Sequence, residues 1–219
     1  MLSRTAKQAT SRLSQISQQL SSSIQHQTTR MASSYTGTQH KLNTGTSIPA
    51  LGFGTWQDKD AQEPAVLAAL KAGYRHIDTA RIYGTEPAVG NAIKKSGVPR
   101  EDIFLVTKLW NNSHAPESVE KALDASLKDL GTDYVDLYLM HWPSPFLEGD
   151  ALMPKDSNGK IATGDADYVE TYKAMEACFK KGKAKAIGIS NFSKAEIERL
   201  LKETSVVSST SPARNVQYC

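Results

Sequence analysis

Asp78, Lys108 and His141 each stand at the end of a short apolar run, as does the pair Ser190-Asn191, and a phenol, Tyr83, follows Asp78 by five positions. Taken alone, a histidine or lysine after an apolar run reads as a structural or solvated residue. Four polar endings on successive runs read as a set on one rim, because side chains just past strand carboxyl ends face the catalytic side of α/β barrels and open α/β sheets. A phenol is a poor acid at neutral pH, with a reference pKa near ~10. An ammonium beside it favours the ionised form, and a carboxylate holds that ammonium in place. Tyr83 could then protonate a carbonyl oxygen, with His141 orienting that oxygen, a step useful when hydride attacks the carbonyl carbon. Ser190 and Asn191 have the donors and acceptors to hold an amide beside it. His76, His114 and His141 lack carboxylate or cysteine companions at ligand spacing, so no metal set is expected.

The elements that must position these groups alternate. The turn Asn43-Thr44-Gly45 between His40–Leu42 and Ser47–Pro49 predicts an N-terminal β-hairpin. Strands are expected over Leu51–Trp56, His76–Thr79, Ile103–Thr107, Tyr134–Met140 and Ala184–Ile189. Helices are expected over Glu63–Ala72, Glu86–Ser96, Pro116–Leu130, Tyr168–Lys181 and Lys194–Glu203, with Tyr83 in a loop and Ser193 as a cap. Continuous apolar strands alternating with helices mean parallel βα units. Five units make about five-eighths of an eight-unit barrel of ~250 residues. The alternative is an open doubly wound sheet, but the Gly-rich phosphate turn after the first strand is missing. Gly52 and Gly54 lack the third glycine of a dinucleotide fingerprint and read as places of close backbone approach.

The chain has 219 residues, 39% of them hydrophobic and 22% charged, ordinary for a globular protein. No apolar run approaches the ~20 residues of a membrane span. The net charge of +3 gives no case for nucleic acid, because the basic residues are spread along the chain rather than clustered. Two cysteines, Cys178 and Cys219, make neither a disulfide framework nor a zinc site, so a reducing, cytoplasmic setting is expected. Residues 1–34 differ from the rest: they carry Arg4, Lys7, Arg12 and Arg30 and no acid, the first acidic residue being Asp58. Their amphipathic, Ser-rich pattern reads either as a disordered leader or as a mitochondrial presequence. From 208 to 219 the chain loses apolar periodicity and reads as an aberrant tail.

The stretch GYRHIDTA around Asp78 with Tyr83, Glu86 and Gly90 behind it, the TKLW holding Lys108, the DLYLMHWP holding His141 and the IGISNF holding Asn191 resemble the aldo-keto reductases. Within that family the fungal aldehyde, aldose and glycerol-type reductases are nearest. The resemblance runs from about His40 to about Val207. It implies a (β/α)8 TIM-barrel fold, here incomplete, and NADPH-dependent reduction of small aldehydes and ketones to alcohols. Carried over by motif, it implies Asp78, Tyr83, Lys108 and His141 as catalytic residues, with Tyr83 the proton donor. Gly54, Thr55, Trp56 and Asp78 would line the nicotinamide, and Ser190 and Asn191 would hold its carboxamide. Trp56, Trp110, His141 and Trp142 would border the substrate. The family continues with three further strands and a segment that grips the adenosine 2′-phosphate; these are missing here, so a truncated barrel over 35–207 is expected. Two other readings stay open: a truncated non-catalytic or nucleotide-binding product, and a Schiff-base lyase through Lys108, which pairing with Asp78 would oppose.

Overall fold

The computed structural model describes residues 37–205; the leader over 1–34, the tail over 208–219 and Cys219 lie outside the described residues. The expected hairpin forms from β1 (Gln39–Lys41) and β2 (Ser47–Pro49), antiparallel, with Lys41 opposite Ser47. Five parallel strands follow: β3 (Phe53–Gly54), β4 (His76–Asp78), β5 (Phe104–Leu109), β6 (Leu137–Met140) and β7 (Ile187–Ile189). The helices between and after them are α1 (Gln62–Lys71), α2 (Glu86–Ser96), α3 (Pro116–Leu130), α4 (Tyr168–Lys180) and α5 (Lys194–Glu203).

The strands lie in the order β3-β4-β5-β6-β7. A doubly wound sheet reverses its strand order at a switch point, whereas a barrel adds each new strand on the same side. Unbroken sequence order therefore decides for the barrel-type arrangement, with five βα units among the described residues.

Helix punctuation follows local chemistry. Pro116 opens α3, where its missing N–H is not needed, and Gly131 ends it at φ 66°. The Asp167 side chain accepts from Val169 N at the start of α4. Ser193 and Glu196 form a reciprocal capping box on α5. Along α3, Val119, Leu123, Leu127 and Leu130 make one buried stripe, the spacing that turns a single helical face to the sheet.

Period-two alternation divides each strand between two faces. Ile77, Leu105, Leu109, Tyr138, Met140, Ile187 and Ile189 belong to the large core shared with the helices. Phe104, Val106, Leu137, Leu139 and Ala186 form a second cluster on the other face, against which Leu42 and Ile48 of the hairpin pack. Asp78, Lys108 and His141 fall in the phase of this second face. At its lower end Arg100 fastens β5 to β6. The guanidinium donates to Ile103 O (2.7 Å), Tyr134 O (2.9 Å) and Thr132 Oγ1 (3.1 Å) and pairs with Asp136 at 2.9 Å.

Several expected bounds shift. The strand expected over Leu51–Trp56 contracts to two residues, since only Phe53 and Gly54 pair with β4. Tyr134–Met140 and Ala184–Ile189 begin later, their starts joined by an isolated bridge from Val135 to Ala184. The strand expected over Ile103–Thr107 runs on to Leu109, because Lys108 and Leu109 pair with Leu139 and Met140. Lys108 thus lies within its strand rather than beyond it. Tyr83, expected in a loop, lies in the connection from β4 to α2, in a 3-10 turn (Arg81–Tyr83) closed by Gly84 at φ 65°.

Candidate active site

Strand register places the reactive groups on a staircase. Asp78 is level with Val106, so Lys108 stands one same-face position higher; Lys108 is level with Leu139, so His141 stands one higher again. The long lysine side chain covers the step. Its Nζ donates to Asp78 Oδ1 at 2.5 Å and to Thr79 O at 3.0 Å, with both side chains almost fully buried. An ammonium has three donors, two of them used here, and this Nζ stands 5.1 Å from the centroid of the Tyr83 ring. The ammonium is thereby fixed against the phenol by a carboxylate and a backbone carbonyl.

Tyr83 is half-buried between rings. Its centroid is 4.9 Å from Trp56 and 5.7 Å from His141, the latter edge-on at 78°. Trp110 meets the His141 ring edge-on at 5.2 Å. Burial, reinforced by the nearby Lys108 charge, pushes the His141 pKa down to about 3. At neutral pH the imidazole is therefore uncharged and can donate a hydrogen bond without adding a second cation beside Lys108. Among the described residues, Asp78 Oδ2 and His141 Nδ1 are buried without a hydrogen-bond partner.

The remaining expected residues are distributed around this centre. Thr55 is fully buried, and its N–H donates to Asp78 O at 3.0 Å. Gly54 is exposed at the end of β3, and a Cβ built there meets nothing within 4 Å. Ser190 follows β7, its N–H bonded to Met140 O. Asn191, in the left-handed region at φ 63°, donates through Nδ2 to His141 O (2.9 Å) and Ser190 Oγ (3.0 Å). Its Oδ1 accepts no hydrogen bond among the described residues. Trp56 and Trp142 are 60% and 44% exposed. The structure therefore brings Asp78, Tyr83, Lys108, His141, Trp56 and Trp110 into one contiguous cluster. Among the described residues no hydrogen bond or ring contact joins the Trp142 side chain to it.

Sequence reasoning passed over the scaffold of this cluster. Thr85 Oγ1 lies 3.2 Å from Thr55 Oγ1 and 3.3 Å from Thr79 Oγ1, tying the ends of β3 and β4 to the start of α2. Glu86, 1% exposed, accepts from Thr107 Oγ1 at 2.6 Å and pairs with Arg81, which also pairs with Asp129. The Tyr83 turn is thus anchored at its first residue. After Trp56 the chain turns through two non-glycine left-handed residues, Gln57 (φ 69°) and Asp58 (φ 42°), and buried Gln62 holds Gln57 O at 2.6 Å. A threonine on either side of the Asp78 run was the available signal for the first of these; the strained corner leaves none in composition or spacing.

The family model described as Aldo/keto reductase family matches residues 50–216. An uncharacterised oxidoreductase of Schizosaccharomyces pombe is 51% identical over 166 residues, 75% of this chain and 52% of that protein. Human aldo-keto reductase family 1 member A1 is 47% identical over 171 residues, 75% of this chain and 53% of that protein. The solved aldose reductase of Schistosoma japonicum superposes with a TM-score of 0.77 at 40% identity, over 78% of this chain and 59% of that one. This chain spans about half the length of the curated relatives it matches.

Proposed function

The chain belongs to the aldo/keto reductase family, and from that premise we propose that its site reduces aldehydes and ketones, aldoses and glyceraldehyde-like compounds among them, to alcohols, with Tyr83 as proton donor. The observation that carries this reading is the Lys108 ammonium, held by Asp78 at 2.5 Å and standing 5.1 Å from the Tyr83 ring. A cation fixed beside a phenol favours phenolate, which is the state left once the proton has gone to the carbonyl oxygen. His141, neutral because it is buried, supplies a donor to orient that oxygen. Trp56 and Trp110 give the substrate apolar walls, with Trp142 as a further candidate.

The hydride donor in this reading is NADPH, which when bound would supply one hydride, a proton with its two electrons, to the carbonyl carbon, the balancing proton on oxygen coming from Tyr83. The residues present fit a nicotinamide: Gly54 leaves open space at the end of β3, and Asn191 keeps its amide oxygen unengaged among the described residues. Gly54, Thr55, Trp56 and Asp78 would line the ring, and Ser190 and Asn191 would hold its carboxamide. The setting of the reaction is cytoplasmic in this reading, and among the described residues no helix is long and apolar enough to cross a membrane.

The test is NADPH consumption with a simple aldehyde by the purified 219-residue chain, beside Tyr83→Phe. Turnover in the parent that falls at least 100-fold in the variant, with NADPH affinity unchanged, is expected from removing a general acid. Equal turnover in both would overturn the role of Tyr83. A chain that binds NADPH but turns over no carbonyl compound would favour the nucleotide-binding reading instead.

A further inference from the structure

The segment leaving β5 and the long connection from β6 to α4 are joined by three hydrogen bonds at spaced positions. Phe146 N donates to Asn111 O (2.8 Å), Asn112 Nδ2 to Gly149 O (2.6 Å) and Trp110 Nε1 to Leu152 O (2.6 Å). Phe146 adds an edge-on contact to the Trp110 ring at 5.7 Å, and that ring meets His141. The connection has little apolar hold of its own, since Leu147 and Met153 are both about half exposed. A surface loop with few buried apolar groups stays where its polar contacts keep it and opens locally when they go.

We infer that Asn112 is a positioning residue, its amide fixing the arch over 146–152 across the end of β5 so that the Trp110 wall of the site keeps one placement. Asn112 is 5% exposed, and its Nδ2 reaches the middle of the arch, between the backbone bond at Phe146 and the indole bond at Leu152. Of these three bonds, one is backbone to backbone and one comes from the Trp110 indole, whose ring meets His141, which leaves the Asn112 bond as the side-chain hold made by a residue outside that ring cluster. The site's accommodation of bulky carbonyl compounds therefore depends on a residue outside the reacting cluster. That consequence rests on the carbonyl-reductase reading; the hold on the arch does not.

The test is amide hydrogen exchange on the full 219-residue chain, comparing Asn112→Ala and the near-isosteric Asn112→Asp, which keeps the shape and loses the donor. Exchange at Phe146, whose N–H bonds across to Asn111 O, is expected to accelerate about tenfold in both variants, with β5 and α3 amides unchanged. Unchanged exchange at Phe146 in both would overturn the inference. Where Asn112→Ala also loses β5 protection it has unfolded, and Asn112→Asp then decides. In the reductase assay, KM for a bulky aromatic aldehyde is expected to rise several-fold in the variants with kcat little changed. A parallel fall in kcat for bulky and small aldehydes alike would overturn the assignment as positioning residue. A parent chain without turnover would refute the reductase reading, and the exchange result would still decide the hold on the arch.

Discussion

Lys108 Nζ lies 2.5 Å from Asp78 Oδ1 in surroundings that leave both side chains almost fully buried. Neither charge is tolerable there alone. Removing one partner of a buried pair leaves an uncompensated ion, at a cost of about 3–5 kcal/mol. Asp78→Ala is therefore expected to lower stability by at least ~3 kcal/mol, read as a drop in the urea midpoint at unchanged slope. The double variant Asp78→Ala with Lys108→Met should recover much of that loss. Additive losses would show that the pair is not coupled.

Acid sensitivity follows from three buried histidines, His76, whose pKa burial lowers, and, with the larger shifts, His114 and His141. The pKa of His114 is pushed down to about 4 by burial and that of His141 to about 3 by burial and Lys108, against 6.5 for an ordinary imidazole. Both are neutral when folded, so from pH 6.5 downward the unfolded chain takes up protons that the folded chain refuses. Stability is full above 6.5 and falls as pH drops towards 4 and then 3. His114→Phe should flatten the upper part of that decline in urea titrations at stepped pH. An unaltered profile would assign the acid sensitivity to other groups.

The corner after Trp56 stores backbone strain. Gln57 and Asp58 occupy the left-handed region at φ 69° and 42°, where a non-glycine residue costs ~1–2 kcal/mol. Gln57→Gly should stabilise the chain by about 0.5–1 kcal/mol once the added freedom of the unfolded glycine is set against the relief. Asn191→Gly should instead destabilise it, since asparagine tolerates φ 63° and its amide bonds to His141 O and Ser190 would be lost. Thermal midpoints moving in the same direction would contradict this account.

Gly90 marks a close approach of helices. A Cβ placed there would stand 2.6 Å from Leu130 O and 2.7 Å from Leu130 C, backbone atoms at the end of α3 that cannot swing aside. Gly90→Ala should lower stability by ~1–3 kcal/mol despite the better helix propensity of alanine. A stabilised variant in calorimetry would mean that α2 and α3 separate freely.

The sequence by itself determined the alternation of elements, the caps at Pro116, Gly131 and Ser193, and the candidacy of Asp78, Tyr83, Lys108 and His141. These are local matters: apolar period, turn residues and the polar residues that close each run are carried by neighbours along the chain. It also located the aromatic residues Trp56 and Trp110, though not what they touch. Tertiary structure alone decided where strands end, because an end is set by whether a neighbouring strand supplies partners. Lys108 passed from beyond its strand to within it for that reason, once Leu139 and Met140 lay beside it. Unbroken strand order chose the barrel-type sheet over the doubly wound one, a choice composition cannot make. The threonine ties to Thr85, the buried Glu86, the strained Gln57-Asp58 corner and the reach of Asn112 to Gly149 are likewise invisible in one dimension. Each joins residues far apart in sequence, or depends on a backbone angle that its residue type does not favour, and only packing supplies the energy to hold it.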